Sequence, residues 1–478
     1  MRIRFERLRL VIESDRNAAT ADQRSAGAPA AVPARAEVEL KRQIGLYAAT
    51  AITVGNIIGS GIFRSPHSVA QHISSFWLVL MAWVVGGVLS ICGSLVLAEL
   101  AVTHPRTGGL YVFIRESFGD AFGFVFGWAN LWVIKPTVIA SITSVFALYF
   151  CQVLHLPKSS EFMVGAAAIL FLTFVNWLGV KQGAGTQSLF TTAKVIGIAA
   201  LCVAAFTIPS SHAATVVEAA APVAGLTFGA FTVAMISILF AYDGWTDSTY
   251  VAGEVVNPQR TMPIAIVWGT WLVIAVYLAT NVAYFHVLGA DGVARYEAVG
   301  SETIRRLLGE GGARALAVLV AVSTFGTTNG AILTGPRVTQ AMAADGLLWK
   351  PLARLDPRRG TPSLALWVQA ALSCIWLWCA SGFEDVSGWF VTTSWLFYAL
   401  TTASLFVQRR REARGEIATP SYRTPFFPLP ALLFIVATGL IVFSDLHDSG
   451  WKAWAGVAIA ALGFPVYYVW KGRRARAA

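Results

Sequence analysis

Charge is what this chain has least of. Only 13% of its residues are Asp, Glu, Lys or Arg, about half of the roughly 25% usual for soluble domains. A soluble protein of 478 residues needs more polar surface than that, so a globular body in water is excluded. Catalytic signatures are missing too. The seven histidines stand at positions 67, 72, 104, 155, 212, 286 and 447, with no HExxH and no GxSxG in the chain. An enzyme needs convergent acid, base or nucleophilic groups, or a metal-ligand set. The sequence offers neither, so no catalytic residue, cofactor or metal is expected. No CxxC joins the five cysteines: Cys92, Cys202, Cys374 and Cys379 fall within apolar runs and Cys151 at the end of one. They read as small apolar packing residues. The N-terminus lacks the apolar core of a signal peptide. Residues 1–40 hold Arg, Glu, Asp and the stretch AGAPAAVPARA, and read as a disordered cytoplasmic tail.

Apolar residues are what the chain has instead: 56% of the total, with a mean hydropathy of +0.62. They gather in runs of the length a bilayer requires. The spans run approximately over 44–72, 76–102, 121–154, 161–180, 186–208, 227–254, 263–289, 313–343, 363–381, 386–407, 427–444 and 452–470, about twelve in all. Backbone groups in lipid must be satisfied within their own segment, so these are helices and the fold class is all-α. A net charge of +10 would suggest nucleic acid in a soluble domain. Here it reflects cytoplasmic loops, and no nucleic acid is expected. With the N-terminus inside, the inner loops hold nineteen Lys and Arg, and the outer loops six: Lys158, Arg295, Arg305, Arg306, Arg314 and Lys452. That excess predicts a multi-pass protein with both termini in the cytoplasm. Within the outer segment Ala290–Gly312, Tyr296–Leu308 is expected to form a short amphipathic helix. The absence of long loops suits a bacterial inner membrane.

Glycine inside apolar runs is the informative signal. The first span contains Val54-Gly55-Asn56-Ile57-Ile58-Gly59-Ser60-Gly61-Ile62-Phe63, and the sixth contains Phe240-Ala241-Tyr242-Asp243-Gly244-Trp245. Each glycine costs a helix interior about 1 kcal/mol relative to Ala. Gly55 and Gly59 also form a GxxxG packing motif, which alone would explain the first segment. The two segments together favour a different reading, because interrupted spans one and six occupy corresponding places in two five-helix halves. That pattern predicts a binding site at the membrane midplane. Unwinding frees N–H groups at a half-helix start, which suit a carboxylate, and C=O groups at a half-helix end, which suit an ammonium. A zwitterionic α-amino acid matches both.

Six charged residues fall within or at the ends of spans: Arg64, Glu99, Lys135, Lys194, Asp243 and Arg337. Lys194 is expected to steady the broken first helix by bonding its free carbonyls; the alternative is snorkelling to the headgroups. Lys135 either faces the substrate or pairs with Asp243. Asp243 is also a candidate proton carrier. Glu99 is read as a solvated interfacial carboxylate, and Arg64 and Arg337 as snorkelling or paired. Phe240 and Trp245 flank the second break, where a ring can lid a site.

These motifs resemble the amino acid–polyamine–organocation superfamily, and within it the L-type amino acid transporters. The match is carried by VGNIIGSGIF in span one, FAYDGWTDSTYVAGEVVNPQRTMPIAI over span six and its loop, and STFGTTNGAILTGPRVTQAMAADGLL over span eight. The resemblance implies the LeuT-type fold: a five-helix repeat (41–210), a second inverted one (211–408), and two further helices with a basic tail (409–478). It implies substrate contacts at Ile57, Gly59, Ser60, Gly61, Phe240, Ala241 and Asp243, with gating by Phe240 and a cation role for Lys194; Trp245 and Lys135 join the gating or coupling set from the reading of the residues above. It implies sodium-independent exchange of neutral amino acids, with a proton-coupled amino acid or amine symporter as the alternative. Asp243 departs from the Gly of many relatives. The loop VLHLPKSSE lacks the cysteine through which animal members join a glycoprotein, so no disulfide-linked partner is expected.

Overall fold

The computed structural model describes residues 41–73, 75–209, 227–379, 383–448 and 451–477. The expected N-terminal tail lies outside them. Among the described residues the secondary structure is helical, apart from one isolated parallel bridge between Ile44 and Val255. Nine helices among the described residues are long and apolar enough to cross a membrane, and Phe228–Tyr242 and Ser363–Cys379 are shorter apolar helices. The chain is thus an all-α, multi-span membrane protein.

The first span is two helices, α1 (Leu46–Ile57) and α2 (Gly61–His72). Then come α3 (Phe76–Thr103) and the short α4 (Leu110–Phe118). The third span joins α5 (Asp120–Ala129) to α6 (Lys135–Val153) through one π-turn, Asn130–Ile134. Pro136 explains that turn: it brings no N–H to the helical ladder and its ring crowds the preceding carbonyl. A second π-turn, Ile264–Trp268, directly follows Pro263. Next are α7 (Glu161–Leu178) and α8 (Val180–Thr207). The sixth span opens as α9 (Phe228–Tyr242), whose first turn is capped by the Thr227 side chain, which accepts from the N–H of Ala230. It resumes only as the four-residue α10 (Asp247–Tyr250). Then α11 (Pro258–Pro263) leads into α12 (Gly269–Arg295).

The long α13 (Val299–Ala344) kinks at Gly309, where φ is 68°. The residues from Val299 to the kink form the expected short helix, and those after it the helix of the expected eighth span, two helices joined across a non-helical glycine. The remaining helices are α14 (Ser363–Cys379), α15 (Phe383–Ala413), α16 (Leu429–Asp448), and the pair α17 (Trp451–Ala461) and α18 (Gly463–Ala477), which divide the expected last span.

Burial separates centre from periphery. The α5–α6 span buries 83% of its apolar window, whereas α7 and α8 bury 33% and 28%. The exposed side of α7 and α8 carries Phe171, Phe174, Leu189, Ile196 and Val203, a surface that lipid solvates.

Charges at the ends of the spans are paired. Glu99 corrects the expectation of a solvated carboxylate: it is 1% exposed, bridged to Arg409 at 2.6 Å, and accepts the N–H of Thr424 at 2.6 Å. Two donors at that depth replace the water it loses. Arg337 pairs with Glu254 at 2.9 Å, both side chains fully buried, and Arg64 pairs with Glu297 at 2.5 Å. The backbone carbonyl of the same Glu254 accepts from the N–H groups of Gln43 and Ile44 at 2.7 and 2.9 Å, and Val256 donates to Ile44 at 2.9 Å. The strand-like residues before α1 are thus stitched to the segment after α10.

Candidate functional site

Both predicted breaks are present, and they touch. Between α1 and α2 the chain leaves the helix over Ile58–Ser60. After α9, Asp243 is extended (φ −66°, ψ 152°) and Gly244 takes φ 117°, a region that disfavours side chains. A Cβ on Gly61 would stand 2.5 Å from the Cα of Ala241, and one on Gly244 would stand 2.6 Å from the carbonyl carbon of Asn56. The two glycines are therefore required by contact between backbones.

The carbonyls freed at the end of α1 need donors, since no intrahelical N–H reaches them. Lys194 of α8 supplies them: its fully buried Nζ lies 2.9 Å from the Gly55 oxygen, 2.7 Å from the Ile58 oxygen and 2.8 Å from Thr327 Oγ1. The Thr327 hydroxyl stands 3.0 Å from the same two carbonyl oxygens. The Tyr277 hydroxyl of α12 reaches the Ile57 oxygen at 2.8 Å and the Ala241 oxygen at 3.0 Å. At the start of α2 the polarity reverses. First-turn N–H groups have no intrahelical acceptor, and the buried hydroxyl of Ser60 has no partner.

Two adjoining cavities open on the breaks. One is lined by Ile57, Gly59, Ser60, Gly61 and Phe240 among others. Its neighbour is lined by Lys135, Asp247, Tyr250 and Tyr398 among others. Asn56, Val138, Ile142, Asp243, Thr327 and Phe390 border both. Phe240 stands edge-on to Phe390, ring centres 6.2 Å apart. Ala241 sits behind the lining, against Gly61. Trp245 packs away from both cavities, against Tyr398 and Phe434.

The charges differ from expectation in one respect. Lys135 lines the cavity but pairs with Asp247, at 2.6 Å, and not with Asp243. The other oxygen of Asp247 accepts from Asn56 Nδ2 at 2.7 Å and from the Thr334 hydroxyl at 3.2 Å. Asp243 instead accepts the Tyr398 hydroxyl at 2.8 Å. From Asn56 a buried polar chain continues to Gln187 (3.2 Å), Asn329 (3.2 Å) and Asn176 (2.8 Å).

Sequence reasoning passed over Asp247, Thr327, Tyr398 and Tyr277. Asp247 had a readable signal, because it lies four residues after Asp243 at the same interruption. Thr327 and the two tyrosines had none, since hydroxyls and rings are frequent in all membrane spans.

Residues 44–463 match the family model described as amino acid permease. The chain is similar to the serine/threonine exchanger SteT of Bacillus subtilis (strain 168), with 32% identity over 439 residues, 91% of this chain and 98% of that protein. It is similar to the human b(0,+)-type amino acid transporter 1, at 31% over 436 residues, 90% of this chain and 88% of the relative. The mouse large neutral amino acids transporter small subunit 2 is 34% identical over 446 residues, 90% and 81%.

Proposed function

The chain belongs to the amino acid permease family, and from that premise we propose that it moves amino acids, neutral L-amino acids foremost, across the cell membrane by sodium-independent exchange. It is a transporter and not an enzyme. The proposal places both termini in the cytoplasm, in keeping with the Lys and Arg excess of the loops. It adopts the LeuT-type plan of two five-helix repeats over 41–210 and 211–408, with 409–478 added.

The observation that carries the reading is the pairing of opposite helix ends at one cavity. The start of α2 offers N–H groups and the unpartnered Ser60 hydroxyl to a carboxylate. The ends of α1 and α9 offer carbonyls to an ammonium. The substrate contacts then fall at Ile57, Gly59, Ser60, Gly61, Phe240 and Asp243, with Ala241 as the backbone support of the site. Phe240 closes one side. Lys194 already places a cation among the carbonyls of the first break, which supports independence from sodium. In the transport cycle α1 tilts to open one side of the membrane while α2 and α9 close the other, with Gly59 and Gly61 as hinges. No disulfide-linked glycoprotein is part of this proposal: Cys151 is buried, and a disulfide adduct on a non-reducing gel would contradict it.

Uptake of labelled amino acids into proteoliposomes, without a sodium gradient, tests exchange. Uptake that requires unlabelled amino acid inside supports it. The second reading is proton-coupled symport of amino acids or amines, favoured by Asp243, a partly buried carboxylate on the cavity. Uptake without internal amino acid, driven by an imposed pH gradient and abolished by Asp243→Asn, would replace exchange with this second reading.

A further inference from the structure

Tyr277 is fully buried in α12 and borders neither cavity. Its hydroxyl lies 2.8 Å from the carbonyl oxygen of Ile57, the last residue of α1, and 3.0 Å from that of Ala241, one residue before the end of α9. A phenol has one proton to donate, so two helix ends, one from each break, share it; the Ile57 oxygen also accepts the Gly59 N–H at 2.8 Å, which lies within its own break and ties nothing to α9. The ring that holds this donor is itself fixed. It stands edge-on to Trp83 with ring centres 5.7 Å apart and 5.1 Å from the ring of Tyr242, and the Tyr242 hydroxyl donates to the Trp83 carbonyl at 3.3 Å. The donor thus comes from an aromatic block with little freedom to follow either helix end separately.

We propose that Tyr277 is a positioning residue that clamps the α1 and α9 ends from behind the substrate cavity, setting the spacing at which their carbonyls meet the substrate's ammonium. The inference rests on the amino acid reading given above. Its consequence is a site built before the substrate arrives. Without the shared proton the two ends sample several spacings, only a fraction of them competent, and the apparent affinity falls by that fraction. The chemical groups that touch the substrate are unchanged, so the maximal rate is unchanged too.

The helix provides a matched control. Tyr284, seven residues further along α12, is equally buried, but its hydroxyl has no partner. The test compares wild type, Tyr277→Phe and Tyr284→Phe in proteoliposomes preloaded with unlabelled amino acids, using labelled L-serine, L-leucine and L-arginine as probes. Thermal unfolding in detergent is measured on the same preparations. The expected result is a KM raised about tenfold for Tyr277→Phe, with kcat within about twofold, and both constants unchanged for Tyr284→Phe. If Tyr277→Phe matches Tyr284→Phe while wild type transports, the clamp is wrong and the amino acid reading stands. If Tyr277→Phe fails to fold where Tyr284→Phe folds, the hydroxyl supports the fold and does not set the site, and the proposal is overturned. If wild type transports none of the three probes, the amino acid reading itself is undermined, and the clamp falls with it.

Discussion

The two breaks meet in one place but are held in opposite ways. At the first, the chain supplies backbone and two neutral side chains, Asn56 and Ser60, and the donors to its carbonyls arrive from elsewhere: Lys194 from α8, Thr327 from α13 and Tyr277 from α12. At the second, the chain supplies its own charge. Asp243 and Asp247 flank the break, and the neighbours answer with Tyr398 and Lys135. The segments that follow differ too, twelve helical residues in α2 and four in α10. Under the proposed function the first break takes the carboxylate and shares the ammonium with the end of α9, the groups that every amino acid has. The second puts titratable side chains on the adjoining cavity, which under the same proposal is left for what varies between substrates.

Substitutions can sharpen or break that contrast. Gly61→Val should have the largest effect, abolishing uptake in a protein that still expresses, because its Cβ would meet Ala241 at 2.5 Å. Normal transport by this variant would mean that the breaks need not touch. Asp247→Asn should follow, lowering stability by about 3–5 kcal/mol as it strands a buried ammonium. Adding Lys135→Met should recover part of the loss, read as unfolding temperature in detergent. A single variant no worse than the double would remove charge from the account of the second break. Lys194→Met should cost about 2–3 kcal/mol, since it withdraws one donor from two buried carbonyls while the Thr327 hydroxyl remains. A wild-type melting profile would show the first break to be self-sufficient. Tyr398→Phe should have the smallest effect, about 1 kcal/mol, measured as a severalfold change in the KM for uptake. It removes one donor from Asp243.

The same contrast explains what could be read in advance. Glycine, asparagine and serine inside an apolar run are local signals, so both breaks are visible in composition. Lys194 is visible because a lysine in the body of a span needs a reason. Partnerships are not local. Lys135 and Asp247 are 112 residues apart, and Glu99 and Arg409 are 310 apart. Nothing in the windows around Glu99 tells a wetted carboxylate from one enclosed by a distant arginine and a loop N–H. The short helix ahead of Gly309, by contrast, is a local feature, and its amphipathic stretch is legible before the span.

The stitch between the residues before α1 and Glu254 bears on the kinetic cycle. Under the proposed motion a tilt that carries α1 away from Glu254 parts three backbone hydrogen bonds at 2.7 to 2.9 Å. At about 1 kcal/mol each, that weights an unloaded carrier toward its shut form by about a hundredfold. An unloaded carrier that seldom opens has a slow return leg. Cargo on the far side would then set the turnover of the whole cycle, and the membrane would leak little amino acid when only one side holds any.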